Sequence, residues 1–279
     1  MIDFPRVTGK QDIRPDRARP WRPNSTVHLT ILIHLSALIA LVIRPAWWPW
    51  VLAVLAANHL SLALIGMWPR SRLLGDNIVR LPHAAAHRGE IALTFDDGPN
   101  PEVTPKVLDI LEHYGAKASF FCVGETAAAH PEIVREILNG GHTIENHSMR
   151  HSGLFGFYGS AALRRDIDSA QTVLSGIAGQ PPRFFRAPMG FRNPMLDPVV
   201  AHLGLQYMSW TRRGFDTVAR DPAAVLRRLL RGLAAGDILL LHDRRSLHGE
   251  PIVLAVLPAL LEKLAAAGLK AVSLKTAMR

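Results

Sequence analysis

The sequence predicts a parallel α/β domain preceded by two apolar helices, and three observations lead to this fold class. Strand-like and helix-like segments alternate about seven times after Gly89. Two long uncharged runs come before that region. The polar residues that could carry chemistry all follow predicted strands. Such alternation is typical of a parallel sheet covered by helices, whose active sites are built at the carboxyl ends of the strands.

The apolar runs come first along the chain. Residues 27–43 and 50–67 carry no formal charge, and a helix over either run spans roughly 25 Å, close to the thickness of a bilayer core. Tryptophans at the ends of the second run are typical of a membrane interface. We therefore predict a transmembrane helical hairpin over 27–69. Because the runs contain polar residues, buried core helices and an interfacial helix pair are the alternatives.

Basic residues flank this hairpin. Arginines precede the first run and follow the second, whereas the connecting turn holds only Arg44; the flanking residues are Arg14, Arg17, Arg19, Arg22, Arg70, Arg72 and Arg80. The positive-inside rule then places the C-terminal domain on the cytoplasmic side of the inner (cytoplasmic) membrane. The predicted division is a basic tail over 1–26, the hairpin, a linker over 70–88 and a C-terminal α/β domain over 89–279.

The net charge of +9 raises the question of a nucleic-acid partner. No recognition helix, zinc-finger spacing or RNA-binding signature accompanies the charge, so we expect no nucleic-acid partner. Cys122 is the single cysteine, which excludes an intrachain disulfide framework. It lies in an apolar run and is expected to be a small buried hydrophobe.

The α/β region divides into alternating elements. A helix is expected over 104–115, with Thr104 as its N-cap, and another over 125–138. Further helices are predicted over 160–179, 194–203, 221–236 and 251–268. The predicted strands cover 90–95, 117–123, 142–147, 182–188, 205–211, 237–243 and 270–274. A doubly wound sheet and a closed barrel both fit this pattern.

Two pairs of residues stand out as candidates for chemistry. Asp96 and Asp97 end the first strand, where paired carboxylates can serve an α/β active site, although a polar turn fits them equally. His147 and His151 follow the third strand at a spacing that lets two imidazoles converge on one ion. Two histidines and a carboxylate leave coordination positions open for water and substrate. Surface histidines are the alternative for this pair.

Arg186 and His242 complete the set. Arg186 ends one strand, where its guanidinium could hold and aim a carboxylate. His242 ends a nearly wholly apolar strand, where it is either a core residue or an active-site acid. Each residue alone is a weak indication. Together, however, all the candidates follow strands, and this convergence is what a barrel active site requires.

These segments resemble the motif series of the polysaccharide deacetylase family, also called the NodB-homology or carbohydrate esterase family 4 domain. The resemblance covers roughly 89–274 and rests on TFDDGP, the histidine pair, RAPMG and LLLH. It implies a distorted (β/α)7-type barrel after the transmembrane hairpin. It also implies that a divalent metal, most often Zn²⁺, binds Asp97, His147 and His151.

The same resemblance implies the other roles in the site. Asp96 matches the catalytic base, Arg186 the arginine that orients it, and His242 the catalytic acid. Asp216 matches the aspartate that tunes this histidine, but Thr217 follows it where tryptophan is usual. Ala187 also stands where proline is usual, which bears on the shape of the substrate groove. The residues expected to contact substrate are Pro188, Gly190, Trp210 and Tyr158, and a backbone N–H near 122–124 is expected to face the oxyanion.

The resulting hypothesis is a metal-dependent hydrolase that removes N-acetyl groups from an amino-sugar glycan or a lipid-linked sugar. Its expected partners are that carbohydrate and membrane lipid. The alternatives are a deformylase or O-deacetylase of a lipid-linked sugar, and a catalytically inactive, membrane-anchored carbohydrate-binding protein. The oligomeric state stays open.

Overall fold

The computed structural model of the chain describes residues 20–244 and 251–279. Most of the predicted basic tail, including Arg14, Arg17 and Arg19, lies outside the described residues. The helices, in chain order, are α1 (Ser25–Ile43), α2 (Trp48–Gly66), α3 (His83–His87), α4 (Thr104–His113), α5 (Gly124–Ala129), α6 (Pro131–Asn139), α7 (Ser160–Ala178), α8 (Leu196–His202), α9 (Pro222–Leu230), α10 (Ile252–Ala266) and α11 (Leu274–Ala277).

The strands form one parallel sheet. They are β1 (Glu90–Asp96), β2 (Ser119–Cys122), β3 (Thr143–Asn146), β4 (Phe184–Phe185), β5 (Gln206–Tyr207), β6 (Arg212–Arg213), β7 (Ile238–His242) and β8 (Lys270–Val272). Their hydrogen-bonded order is β5-β4-β3-β2-β1-β7-β6, and β8 pairs with the first residues of β1. The sheet curls into a half-barrel, and this confirms the distorted barrel that the resemblance implies.

The core lies on both faces of the curled sheet because successive strand residues point to opposite sides. Leu239 and Leu241 of β7 pack in the larger apolar cluster, which the covering helices complete. Leu240, between them, packs with Phe121 and Trp210 in a second cluster on the other face of the sheet. This alternation explains why the predicted strands are apolar throughout.

Three local predictions differ from the structure. The predicted helix over 125–138 is two helices, α5 and α6, because Pro131 begins a new helix and cannot continue the old one. Thr104 is not the N-cap of α4. It is the first helical residue, and its hydroxyl donates to Asp243 Oδ2 at 2.6 Å. The strand β6 was not predicted, since its two residues are arginines.

The two apolar helices at the start of the described chain are candidate membrane spans. Their mean hydropathies are 2.2 and 1.6, and few of their residues are buried within the protein. They pack against each other, and Asn24 caps α1 by accepting from the N–H of Val27 at 3.0 Å. By length and composition, both helices are able to cross a bilayer.

A tight joint connects α2 to the α/β domain. Gly66, at the end of α2, accepts a hydrogen bond from the Arg192 N–H at 3.0 Å. A Cβ at position 66 would lie 2.1 Å from the Arg192 carbonyl oxygen, so only glycine allows this approach. The buried Arg192 guanidinium donates to the carbonyl oxygens of Ser71, Leu74 and Asp76. The helical pair is therefore attached directly to the domain.

The segment predicted as a linker, 70–88, packs on the α/β domain along much of its length. It contains α3, and Leu81 and Ala85 are buried in the second apolar cluster. Ile78 forms a parallel bridge with Met208 at the end of β5. These contacts extend the packed region toward the apolar helices, while the domain boundary at Gly89 stays a prediction.

Candidate active site

The register of the parallel strands brings the predicted residues to one edge of the sheet. Asp96 at the end of β1 lies opposite His242 at the end of β7. His147 and Arg186 each directly follow the point where β3 pairs with β4. Because the strands run in the same direction, their carboxyl ends meet, and residues far apart in sequence become neighbours.

Left-handed backbone conformations occur repeatedly at this edge. The φ angles of Asp97, Ser148, His151 and Met189 are 76°, 73°, 49° and 55°. Each such conformation in a non-glycine residue costs about 1–3 kcal/mol and is maintained only by its surroundings. The turn at Asp97 also explains how Asp96 and Asp97 line the same pocket, although neighbouring side chains of a strand point apart.

Asp97, His147 and His151 bring three potential metal ligands together. Their ligand atoms lie within 4.8 Å of one another. The Nε2 atoms of His147 and His151 lie 3.2 Å and 3.0 Å from Asp97 Oδ1. His147 Nδ1 lies 2.8 Å from the Arg186 carbonyl oxygen, which holds the ring with Nε2 toward the carboxylate. One carboxylate and two imidazoles in this arrangement fit a divalent ion such as zinc.

Electrostatic coupling within this triad is strong. Burial by itself would raise the pKa of Asp97, but hydrogen bonds from His147 and His151 hold that pKa well below its usual range. Burial would lower the pKa of His151, but the contact with Asp97 raises it above the ordinary histidine value. A cation that binds these ligands therefore competes with a proton on His151.

Asp96 is held by a buried arginine. Arg186 Nη1 donates to Asp96 Oδ1 at 2.6 Å, and both side chains are almost fully buried. The guanidinium also donates to the hydroxyl of Thr94 and to the carbonyl oxygen of Ser209. Its carbon lies 3.9 Å from the centroid of the Phe121 ring. These contacts fix the orientation of the Asp96 carboxylate, whose Oδ2 lies 3.8 Å from His147 Nε2.

His242, at the end of the neighbouring strand β7, is held by Asp216. Asp216 Oδ1 lies 2.9 Å from His242 Nδ1, and Oδ2 accepts from the His242 backbone N–H at 2.8 Å. Burial lowers the pKa of His242, but the charge and hydrogen bond of Asp216, together with the charges of Asp97 and Asp96, raise that pKa above the ordinary histidine value. With Nδ1 held by Asp216, Nε2 is the ring nitrogen left to meet a substrate.

These side chains surround one pocket of about 100 Å³. The pocket is lined by Asp96, Asp97, His147, His151, Met189, Gly190, Trp210, Arg213, Thr217, Leu240, His242 and Arg244. A carboxylate, a candidate metal centre and an imidazole with a raised pKa thus face the same small volume.

Comparisons with known proteins identify the relationship. Residues 83–208 match the polysaccharide deacetylase family model. The chain is 37% identical over 158 residues to a chitooligosaccharide deacetylase of Azorhizobium caulinodans, which covers 56% of this chain and 75% of the relative. It is 32% identical over 195 residues to a peptidoglycan-N-acetylglucosamine deacetylase of Bacillus cereus, and the match covers 68% of this chain and 88% of the relative. This chain belongs to the polysaccharide deacetylase family.

The fold comparison agrees with this assignment. A solved CE4 family pseudoenzyme from Bacillus anthracis superposes with a TM-score of 0.66 at 20% identity, covering 73% of this chain and 69% of that one. At this identity the likeness shows the fold alone. The two curated relatives carry the family assignment, because their sequence identity extends over most of their own length.

Two of the four residues expected to contact substrate line the pocket of this polysaccharide deacetylase, and the other two do not. Gly190 and Trp210 line it. Gly190 lies so close to Trp210 and Pro69 that a Cβ there would be 2.7 Å and 2.8 Å from them. Pro188 and Tyr158 lie outside the lining, and Tyr158 packs instead against Phe155 with 5.7 Å between ring centroids.

The structure also adds residues that the sequence reasoning missed. Met189, Arg213, Leu240 and Arg244 line the pocket. Arg244 Nη1 donates to Asp97 Oδ2 at 3.1 Å. Met189 could have been predicted as a pocket residue because it lies within the RAPMG motif. No local sequence pattern indicated that Arg213 or Arg244 would line the pocket.

The expected oxyanion donors are engaged elsewhere. The N–H of Val123 donates to the Gly98 carbonyl oxygen at 2.9 Å, and that of Gly124 donates to the Ser148 carbonyl oxygen at 3.0 Å. These two N–H groups hold the loops of the site together. The expectation that they face an oxyanion is therefore wrong for this arrangement.

Proposed function

We propose that this chain is a metal-dependent hydrolase that removes N-acetyl groups from an amino-sugar glycan or lipid-linked sugar. The observation that carries the proposal is the convergence of the triad Asp97, His147 and His151 with Asp96 and His242 in one pocket. Relatives named as chitooligosaccharide and peptidoglycan-N-acetylglucosamine deacetylases support the substrate class.

The geometry supports a separate role for each residue. A divalent ion held by Asp97, His147 and His151 would polarise the acetyl carbonyl and acidify water. Asp96, aimed by Arg186, removes a proton from the attacking water molecule. His242, whose pKa Asp216 raises, donates a proton to the leaving amine. Base and acid are thus held on separate residues, each with its own buried partner.

Acetate release tests this proposal. Detergent-purified full-length protein would be incubated with N-acetylated glycans and lipid-linked N-acetyl amino sugars, before and after chelation and zinc addition. We expect acetate release that chelator abolishes and zinc restores. Formate release without acetate would instead support the deformylase, and acetate from O-acetylated sugars alone would support the O-deacetylase. A protein that binds sugar without releasing either acid would be a binding protein, as the existence of a family pseudoenzyme allows.

The pH dependence of turnover tests the role of Asp216. We expect Asp216→Asn to move the basic limb of the pH–rate profile to lower pH. The reason is that His242 must be protonated to donate, and the Asp216 charge raises its pKa. Asparagine also offers one acceptor where Asp216 uses both oxygens.

The matched control for this prediction is Asp221→Asn. Asp221 is exposed and caps α9 by accepting from the N–H groups of Ala223 and Ala224. Its loss removes one carboxylate charge away from the pocket. A basic limb that moves equally in both variants, or in neither, would show that Asp216 does not set the proton affinity of His242.

We further propose that the pocket works at a membrane surface on a lipid-linked amino sugar. Helix α2 ends at Gly66, and Pro69 comes three residues later in the chain. Pro69 packs closely against Gly190, a residue that lines the pocket. Arg70 Nη1 donates to the Thr211 carbonyl oxygen at 3.2 Å, beside Trp210. The proposed membrane end of α2 and one wall of the pocket are thus in contact, which supports a substrate presented at the bilayer surface.

Gly66→Ala tests this coupling. Because its Cβ would meet the Arg192 carbonyl oxygen at 2.1 Å, we expect the joint to be overpacked by about 1–3 kcal/mol. The ratio of kcat/KM for lipid-linked over water-soluble substrate should fall, since the pocket is no longer held at its normal distance from the bilayer. Gly176→Ala is the matched control, a helical glycine whose added Cβ meets nothing within 4 Å. An unchanged ratio in both variants would argue against a membrane-surface substrate.

The cytoplasmic placement of the catalytic domain in the inner membrane is also a proposal. It is supported by Arg22 before α1 and by Arg70, Arg72 and Arg80 after α2, against Arg44 between them. Protease treatment of right-side-out and inverted vesicles would test it. Cleavage of the domain only in inverted vesicles is expected, and cleavage in right-side-out vesicles would reverse the orientation.

A further inference from the structure

One wall of the pocket carries an arginine that the proposed reaction does not use. Arg213, on the unpredicted strand β6, lines the pocket together with Trp210 and His242. Its guanidinium carbon lies 4.9 Å from the centroid of the Phe215 ring and 5.5 Å from that of Trp210. Contact with two aromatic rings holds a planar guanidinium in place through stacking and cation–π attraction.

Within the part of the chain that the structure describes, Arg213 differs from its neighbouring arginines in having no carboxylate partner. Arg186 and Arg244 donate to Asp96 and Asp97, and Arg212 donates to Asp237. For Arg213, residues 20–244 and 251–279 provide no carboxylate, and its buried Nε has no hydrogen-bond partner there. A buried donor without an acceptor costs about 1–3 kcal/mol. This cost is removed if an acceptor arrives with the substrate.

The turn beside Arg213 is built under strain. Phe215 has a φ of 61°, a left-handed conformation that costs a bulky residue about 1–3 kcal/mol. This turn places the Phe215 ring against Arg213 on one strand and against Arg228 of α9, whose guanidinium carbon lies 5.9 Å from the ring centroid. The next residue, Asp216, holds His242. The position of Arg213 is therefore coupled to the position of the proposed acid.

We propose that Arg213, with Trp210 and Phe215 supporting it, forms an anion-binding subsite of this pocket. The subsite takes a phosphate or carboxylate substituent carried by the amino-sugar substrate, so that the preferred substrate is an acidic amino sugar rather than a neutral oligosaccharide. The identity of the sugar rests on the proposed function, whereas the charge preference rests on Arg213. A sugar attached to lipid through a phosphate ester would bring such a charge to the pocket.

Equilibrium binding tests the subsite without requiring turnover. Zinc-loaded, detergent-purified Asp96→Asn protein would be titrated calorimetrically with N-acetylglucosamine, its 1-phosphate and N-acetylmuramic acid. We expect at least one charged probe to bind about tenfold tighter than the neutral sugar. Adding Arg213→Gln should remove that advantage, a loss of about 1.4 kcal/mol, and change the affinity for the neutral sugar far less. The probe that benefits distinguishes a phosphate source from a carboxylate source.

Two further variants make the result specific. Arg227→Gln removes a charge from an exposed arginine of α9 that pairs with Asp221, and it should leave all three affinities unchanged. Arg213→Lys keeps the charge but loses the planar stacking, and it should retain part of the advantage. If Arg213→Gln fails to retain zinc, Arg213→Lys takes its place in the comparison of charged and neutral sugar affinities.

The contrary outcomes are also distinct. A 1-phosphate affinity that Arg213→Gln leaves undiminished would place the anion on the metal and overturn the proposal. Equal affinities for all three probes in the parent protein would do the same. Neither outcome depends on acetate release, so a neutral-glycan deacetylase would still stand if the subsite fails, and the subsite would stand if deacetylation fails.

Discussion

Asp96→Asn is expected to lower kcat for acetate release by about 10²- to 10⁴-fold while the zinc content stays unchanged. Asparagine keeps the shape of the side chain and can still accept from Arg186, but it cannot take a proton from water. Asp96 also stands apart from the triad, because its Oδ1 is held by Arg186 at 2.6 Å and its Oδ2 lies 3.8 Å from His147 Nε2.

The measurement combines steady-state kinetics with metal analysis of the same preparations. Asp168→Asn is a suitable control, since Asp168 is exposed on α7 and far in sequence from the pocket motifs. Full activity in Asp96→Asn would remove this residue from the role of base. Loss of zinc would instead assign Asp96 to the metal centre, and the base would then have to be sought elsewhere.

His147→Ala is expected to remove both metal and turnover. The substitution reduces three convergent ligands to two, and we expect zinc affinity to fall by more than about 100-fold. It also deletes the contact from His147 Nδ1 to the Arg186 carbonyl oxygen, which connects the metal centre to the arginine that holds Asp96. Turnover should therefore stay low even at zinc concentrations that saturate the variant.

Competitive zinc titration against a chelator measures this effect, and thermal unfolding of the zinc-free proteins checks that the fold survives. His130→Ala provides the control, because His130 lies between α5 and α6 and pairs with Glu132 away from the pocket. Unaltered zinc affinity in His147→Ala would contradict the proposed ligand set. A loss of activity in one variant alone would not show whether proton transfer or metal binding had failed. Comparing zinc content and activity in Asp96→Asn and His147→Ala distinguishes the two causes.

Much of the architecture could be read from local patterns. Apolar runs such as 237–243 have the length and bounding residues of buried strands, and the uncharged runs have the length of membrane spans. Asp96, His147, Arg186 and His242 were found because each follows such a run. Parallel strands end at one edge, so position along each strand was enough to predict that these side chains meet.

Other features had no local signature. The two-residue strand β6 consists of arginines and is held by pairing with β7, so no hydrophobic period could reveal it. Arg213 became a pocket residue only through that pairing. That its Nε has no hydrogen-bond partner among the described residues depends on what surrounds it. The joint between Gly66 and Arg192 likewise connects positions far apart in the chain.

The sequence by itself determined the order of most elements, the apolar helical pair and the residues that approach one sheet edge. These follow from periodicity and from short motifs, which act over a few residues. Only the tertiary structure decided that Asp216 holds His242 through both carboxylate oxygens and that Val123 and Gly124 donate to loop carbonyls. It also decided that Arg213 lies in the pocket with no partner for its Nε among the described residues. Such contacts depend on which distant backbone and side-chain atoms come within hydrogen-bonding distance when the core packs.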